Sequence, residues 1–121
     1  MPQTDFSLDV KPGSLPNVSV ITLKGALVLE HIFKFQNAWR NIQEGVLIFD
    51  LSSVPYLDSA AIGSLVNAHV SCSNHSRKMA LTGVSDRIHQ TLKVTHVDTL
   101  FRFYSDVDAA EQALTRQTTS A

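Results

Sequence analysis

An uninterrupted apolar run at residues 46–49, VLIF, limits the possible folds of this chain more than any other feature. The run has no alternation with polar residues, which is typical of a strand covered on both faces. It ends at Asp50, and Pro55 then interrupts regular pairing in a polar connector. Beyond Asp58 and Ser59 the apolar residues recur at helical spacing. The stretch therefore predicts a buried strand ending near Asp50, a loop, and a helix that begins at Asp58 or Ser59.

The helix predicted after this loop has one apolar face, formed by Ala61, Leu65, Ala68 and Cys72 and widened by Ile62 and Val66. Cys72 is the only cysteine of the chain, so it cannot form an intramolecular disulfide. Its position predicts a small buried hydrophobic residue and not a reactive thiol, because no His or Lys is evidently placed to lower its pKa.

Strands and helices alternate along the rest of the chain. Strands are expected at residues 6–10, 18–24, 46–50, 79–84 and 100–104. Helices are expected from Val28 to a stop at Gly45, from Asp58 or Ser59 onward, from Ser85 to Val97, and from about Asp106. The first two strands form a hairpin, and each later strand follows a helix. The pattern predicts an α/β fold with a mixed, mostly parallel sheet of about five strands and about four helices.

Length and composition favour one globular domain. The chain has 121 residues, 44% of them hydrophobic and 17% charged. We expect a single domain over residues 1–121, with its core at about 4–116 and a frayed tail at 117–121. The formal net charge is −1 without a basic run, so nucleic acid is not an expected partner. No secretory signal or membrane span is evident, which predicts a cytoplasmic protein.

Few kinds of catalytic site are compatible with these residues. The five glycines are never grouped as a nucleotide-binding loop requires, and the five histidines have no recognised metal-ligand spacing. We therefore expect no cofactor and no metal. Ser59 lies where hydrolases place a nucleophile, but the Gly-x-Ser-x-Gly motif is absent. Spacing alone favours a capping role, in which Asp58 or Ser59 accepts hydrogen bonds from the first helical turn.

The central segment resembles the signature of STAS domains, the module of anti-sigma-factor antagonists and of sulphate-transporter tails. The resemblance is carried by Asp50-Leu51, Val54, Tyr56-Leu57-Asp58-Ser59 and Ile62-Gly63, and it is most specific at Asp58-Ser59. Gly25, residues 81–84 and residues 100–114 are also similar, so nearly the whole chain fits a STAS-like single domain. Ala60 stands where the family commonly has Ser or Thr, and Ala61 stands where it usually has Gly.

The resemblance implies a regulatory protein-binding module that is not an enzyme. In stand-alone antagonists of this family, the serine at the place of Ser59 is phosphorylated by a partner anti-sigma factor serine kinase. Unphosphorylated antagonist binds that kinase and thereby frees the sigma factor. The implied contact surface consists of Asp58, Ser59, Ala60, Ala61, Ile62 and Gly63. Ala61 would be strained if the backbone there needed a positive φ, and it would favour the helix if the position is helical.

Two alternative functions involve the same Ser59 region. A STAS-type accessory subunit of a transport or signalling complex would bind a small ligand or nucleotide, with Ser59 and the helix N-terminus holding its anionic group. The lack of a glycine-rich loop counts against that reading. A hydrolase using Ser59 lacks both the flanking motif and an evident His–acid pair.

Overall fold

The computed structural model describes residues 6–116, so the expected frayed tail at 117–121 lies outside the described residues. Its strands are β1 (Ser7–Pro12), β2 (Val18–Lys24), β3 (Val46–Ser53), β4 (Lys78–Thr82) and β5 (Phe103–Tyr104). Its α-helices are α1 (Ile32–Arg40), α2 (Ser59–Asn74), α3 (Asp86–Val94) and α4 (Val107–Arg116). Short 3-10 turns, Leu29–His31 and Asp98–Leu100, precede α1 and β5. The predicted α/β order of elements is confirmed.

The five strands form one sheet in which spatial order equals chain order. β1 pairs with β2 antiparallel, which confirms the hairpin. The pairs β2–β3, β3–β4 and β4–β5 are parallel, so the carboxyl ends of four strands meet at one edge of the sheet. The loop between β3 and α2 leaves the sheet from this edge. Sites of recognition are commonly found at such an edge.

β3 shows why residues 46–49 lack polar alternation. Leu47 and Phe49 belong to the larger core cluster, which also contains the buried residues of α1, α2 and α3. Val46 and Ile48 belong to a second cluster with Ala110 of α4. Because helices therefore cover both faces of the sheet at β3, all four residues are buried, and the predicted burial of this strand is confirmed.

Two element ends differ from the expectation at the centre of the chain. β3 continues to Ser53 instead of ending at Asp50, because the Gly25 amide donates to the Ser53 carbonyl at 3.0 Å and extends the pairing. α1 ends at Arg40, well before the predicted stop at Gly45. The Gly45 amide instead donates to Asn17 Oδ1 at 2.9 Å, which ties the start of β3 to the β1–β2 loop.

The carboxyl-terminal third shows two further differences. α3 ends at Val94 and not at Val97, and His96 adopts a φ of 62° that a continuing helix would not allow. β5 contains two residues where a strand over 100–104 was expected, because Leu100 closes a 3-10 turn. Both differences lie in the part of the chain that leads to β5, the strand at one edge of the sheet.

Candidate functional site

The loop that follows β3 is anchored to the connection between β2 and α1. Leu57 is buried and forms an isolated parallel bridge with Leu27. The Leu27 amide donates to the Tyr56 carbonyl, and the Asp58 amide donates to the Leu27 carbonyl, both at 3.3 Å. These main-chain bonds hold the start of α2 beside the turn that leads into α1.

The Asp58 carboxylate caps two helical segments at once. Its Oδ1 accepts from the Ala61 amide in the first turn of α2 at 2.9 Å. Its Oδ2 accepts from the Leu29 amide, the first residue of the 3-10 turn, also at 2.9 Å. The Asp58 backbone is extended, as is usual at an N-cap. The capping role, which the sequence left open between Asp58 and Ser59, therefore belongs to Asp58.

Ser59 is the first residue of α2 and is exposed. Within the described part of the chain its hydroxyl has no hydrogen-bond partner, since Asp58 provides the cap. The amides of Ser59 and Ala60 lie in the first turn, where a helix offers no acceptor for its N–H groups. The serine hydroxyl is thus presented to solvent at the positive end of a helix dipole.

The other residues of the expected contact surface differ in exposure. Ala60 and Ile62 are half-buried, and Gly63 is exposed with open space where a Cβ would lie. Ala61 is completely buried, because the α2 face that carries it packs into the core. Ala61 is also helical and needs no positive φ, so alanine suits the position better than glycine.

Three large apolar or aromatic side chains of the α1 region and the β3–α2 loop are exposed, and the sequence analysis did not single them out as contact residues. Leu29 is 70% exposed and Phe33 is 83% exposed on the side of α1. Tyr56 is 40% exposed, and the Arg87 guanidinium lies 5.1 Å from its ring centre. One signal for Phe33 was available in the sequence, since this aromatic falls outside the apolar face of its helix.

Ser59 and Cys72 are the candidate reactive side chains of α2. Among residues 6–116, Ser59 contacts no histidine by a hydrogen bond, and no three potential metal ligands are grouped. Cys72 lies near the far end of α2 and is buried, as predicted. Burial raises the pKa of the Cys72 thiol, and the nearby charge of Arg77 lowers it only in part.

A membrane-spanning helix must be long and predominantly apolar. None of the helices within residues 6–116 is both long enough and apolar enough to cross a membrane.

Comparison with known proteins places the chain in a family. The sequence model of the STAS domain matches residues 12–110. The anti-sigma-B factor antagonist of Listeria monocytogenes is 33% identical over 55 residues, which are 45% of this chain and 48% of that protein. The match thus spans about half the length of this curated relative.

Solved structures have the same fold. An anti-sigma factor antagonist from Mycobacterium paratuberculosis superposes with a TM-score of 0.80 at 18% identity, covering 92% of this chain and 95% of that one. The anti-sigma factor antagonist SpoIIAA in its unphosphorylated form gives a TM-score of 0.71 at 13% identity, covering 97% and 99%. The family match over residues 12–110 and the shared five-stranded fold lead to one conclusion: the chain belongs to the STAS domain family.

Proposed function

We propose that this protein is a phosphorylation-controlled antagonist of an anti-sigma factor serine kinase, and that it acts by binding and not by catalysis. Ser59 is the proposed phosphate acceptor. One observation carries the proposal: Ser59 is exposed at the start of α2, and Asp58 has taken over the capping role that would otherwise occupy a hydroxyl there. Binding of the unphosphorylated form to the kinase would free the sigma factor.

The physical consequences of phosphorylation at Ser59 follow from its position. A phosphate adds about −1.5 to −2 charges at neutral pH. At the N-terminus of α2 these charges interact favourably with the helix dipole and with first-turn amides. The fold should therefore tolerate the modification. A partner docked over the same turn would meet new charge and bulk, so the modification weakens the interface without unfolding the protein.

The proposed contact surface is narrower than the one expected from sequence. It contains Ser59, Ala60, Ile62 and Gly63, which are exposed or half-buried. Asp58 acts as a positioning residue, because both carboxylate oxygens accept backbone hydrogen bonds. Ala61 is left out because it is buried.

The relatives support the proposal by analogy. The Listeria relative is named an anti-sigma-B factor antagonist, and SpoIIAA is described in an unphosphorylated form. These descriptions belong to those proteins. We extend these roles to this chain as part of the proposal, with Ser59 as the modified residue.

The modification is tested by incubating the recombinant protein with ATP and an anti-sigma factor serine kinase from the same organism. Mass spectrometry should find one phosphate, on Ser59, and no phosphate on the Ser59→Ala variant. A Ser53→Ala variant is a matched control, because Ser53 is an exposed serine shortly before the same loop. Phosphate on another residue, at the same level in the wild type and in Ser59→Ala, would contradict the proposal.

Binding is tested by capture of the same kinase. Ser59→Asp should reduce capture, because it adds charge at the proposed contact. Ser73→Asp should not reduce it, since Ser73 is exposed near the opposite end of α2. Equal capture of wild type and Ser59→Asp, or saturable ATP or GTP binding by the isolated protein, would favour a ligand-binding subunit instead.

A further inference from the structure

Two apolar side chains of the α1 region are exposed to solvent, and one of them, Leu29, belongs to the residue whose amide binds Asp58. Leu29 belongs to the 3-10 turn and is 70% exposed, and Phe33 lies in the first turn of α1 and is 83% exposed. In contrast, Phe35 and Trp39 of the same helix are buried in the core. Leu29 and Phe33 are four residues apart and form what we call the Leu29/Phe33 patch. Neither side chain contributes to the core clusters of the described residues.

The patch is continuous with the Ser59 loop. The Leu29 amide donates to Asp58 Oδ2 at 2.9 Å, while the other oxygen of the same carboxylate caps α2 one residue before Ser59. The bridge between Leu27 and Leu57 joins the two chain segments again. A partner that contacts Ser59 therefore finds the patch attached to the same rigid corner of the molecule.

The size of the patch indicates what kind of occupant it fits. Two side chains of this size expose on the order of 300 Å², whereas a stable protein–protein contact buries about 800 Å² on each partner. Self-association through the patch alone would be too small to be stable. A stable contact that uses the patch must therefore extend over a larger surface, and the Leu29 amide joins the patch to the Ser59 loop through Asp58.

We propose that Leu29 and Phe33 are the apolar anchors of the contact with the anti-sigma factor kinase and insert into an apolar groove of that partner. This inference rests on the proposed function and adds a second contact region to it. The anchors supply affinity, and Ser59 supplies control, because phosphate changes the charge at the start of α2 without changing the apolar surface on α1. Apolar burial at the anchors and charge at Ser59 are therefore separate contributions to binding.

The test measures affinity of the kinase for wild type, Leu29→Ala, Phe33→Ala and the double variant by titration calorimetry. Alanine preserves the helical conformation, and both positions are exposed, so the fold is not at risk. Each single change should weaken binding about tenfold, as for anchor residues of other interfaces, and the double change should weaken it further. Val94→Ala is the matched control, since Val94 is 62% exposed on α3 and should change affinity less than about twofold.

The outcomes separate this inference from the proposed function. If Leu29→Ala and Phe33→Ala lower the affinity for the kinase by the same factors when combined with Ser59→Asp, the anchors act independently of Ser59, which supports the inference. If the patch variants bind the kinase with the same affinity as Val94→Ala, and Ser59→Asp still weakens binding, Leu29 and Phe33 are not anchors. The proposed function then stands without them. If wild type does not bind the kinase, the proposed function fails and the inference fails with it. A wild-type dimer that the double variant converts to monomer would assign the patch to a second copy and overturn the inference.

Discussion

The double capping role of Asp58 gives the sharpest stability prediction. Its two oxygens accept from Ala61 of α2 and from Leu29 of the preceding 3-10 turn, both at 2.9 Å. Asp58→Ala removes both bonds. Asp58→Ser keeps an N-cap acceptor but is too short to hold Leu29 as well. Leu29→Pro also removes the bond to Asp58 Oδ2, because proline has no amide hydrogen to donate. Leu29 is the first residue of the 3-10 turn and follows an extended residue, so proline is tolerated there.

The expected magnitudes follow from these contacts. Loss of an N-cap costs about 1 kcal/mol of the free energy of unfolding. Loss of one further hydrogen bond to a charged acceptor at a partly exposed site costs about 1 kcal/mol. Asp58→Ala should therefore cost about 2 kcal/mol, or about 8 °C in Tm for a domain of this size. Asp58→Ser should cost about half of that.

Urea unfolding of the wild type, Asp58→Ser, Leu29→Pro and the double variant forms a double-mutant cycle. Leu29→Pro also lowers the entropy of the unfolded chain, but this term cancels in the cycle. We expect a coupling free energy of about 1 kcal/mol, because the second change finds the bond already lost. Additive effects, with coupling near zero, would show that the contact between Asp58 and Leu29 does not stabilise this corner.

Three other changes test separate parts of the structure. Gly83→Ala should lower the free energy of unfolding in urea by more than about 2 kcal/mol. The reason is that Gly83 has a φ of 65° and an added Cβ would lie 2.6 Å from the Ser52 Cβ. A variant as stable as the wild type would refute this prediction. Glu111→Gln should cost about 1–3 kcal/mol, since the buried carboxylate accepts from two amides of the β1–β2 loop at 3.1 and 2.8 Å, and an unchanged midpoint would contradict it. Because burial raises its pKa, Cys72 should react with iodoacetamide at pH 8 much faster in urea than when folded, and Arg77→Ala should slow the folded reaction further. The neutral thiol favours the folded state below its ordinary pKa, and that contribution is lost as pH rises through the raised value.

The candidate site was predictable in part. The Asp58-Ser59 pair lies in a short strand–loop–helix segment, whose local spacing placed it at the start of α2. Which residue provides the cap depends on backbone conformation, and the structure assigns it to Asp58. The burial of Ala61 agrees with the apolar face predicted for α2, which packs into the core.

The partner of the second Asp58 oxygen could not be predicted. Leu29 lies 29 residues away in sequence, and its amide reaches the carboxylate only because β2 and β3 lie side by side. The exposure of Leu29 is likewise a tertiary property, because an apolar residue before a helix is equally compatible with a place in the core. Phe33 could have been noticed, since it is off the apolar face of α1.

By itself the sequence determined the α/β order, the strand buried on both faces and the start of α2, because apolar periodicity within a short window reflects local backbone geometry. The tertiary structure alone decided where β3 ends and that the Leu29 amide meets the Asp58 carboxylate. These features depend on hydrogen bonds and packing between segments far apart in the chain. No local pattern encodes such contacts, because they exist only after the sheet has brought β2 and β3 together.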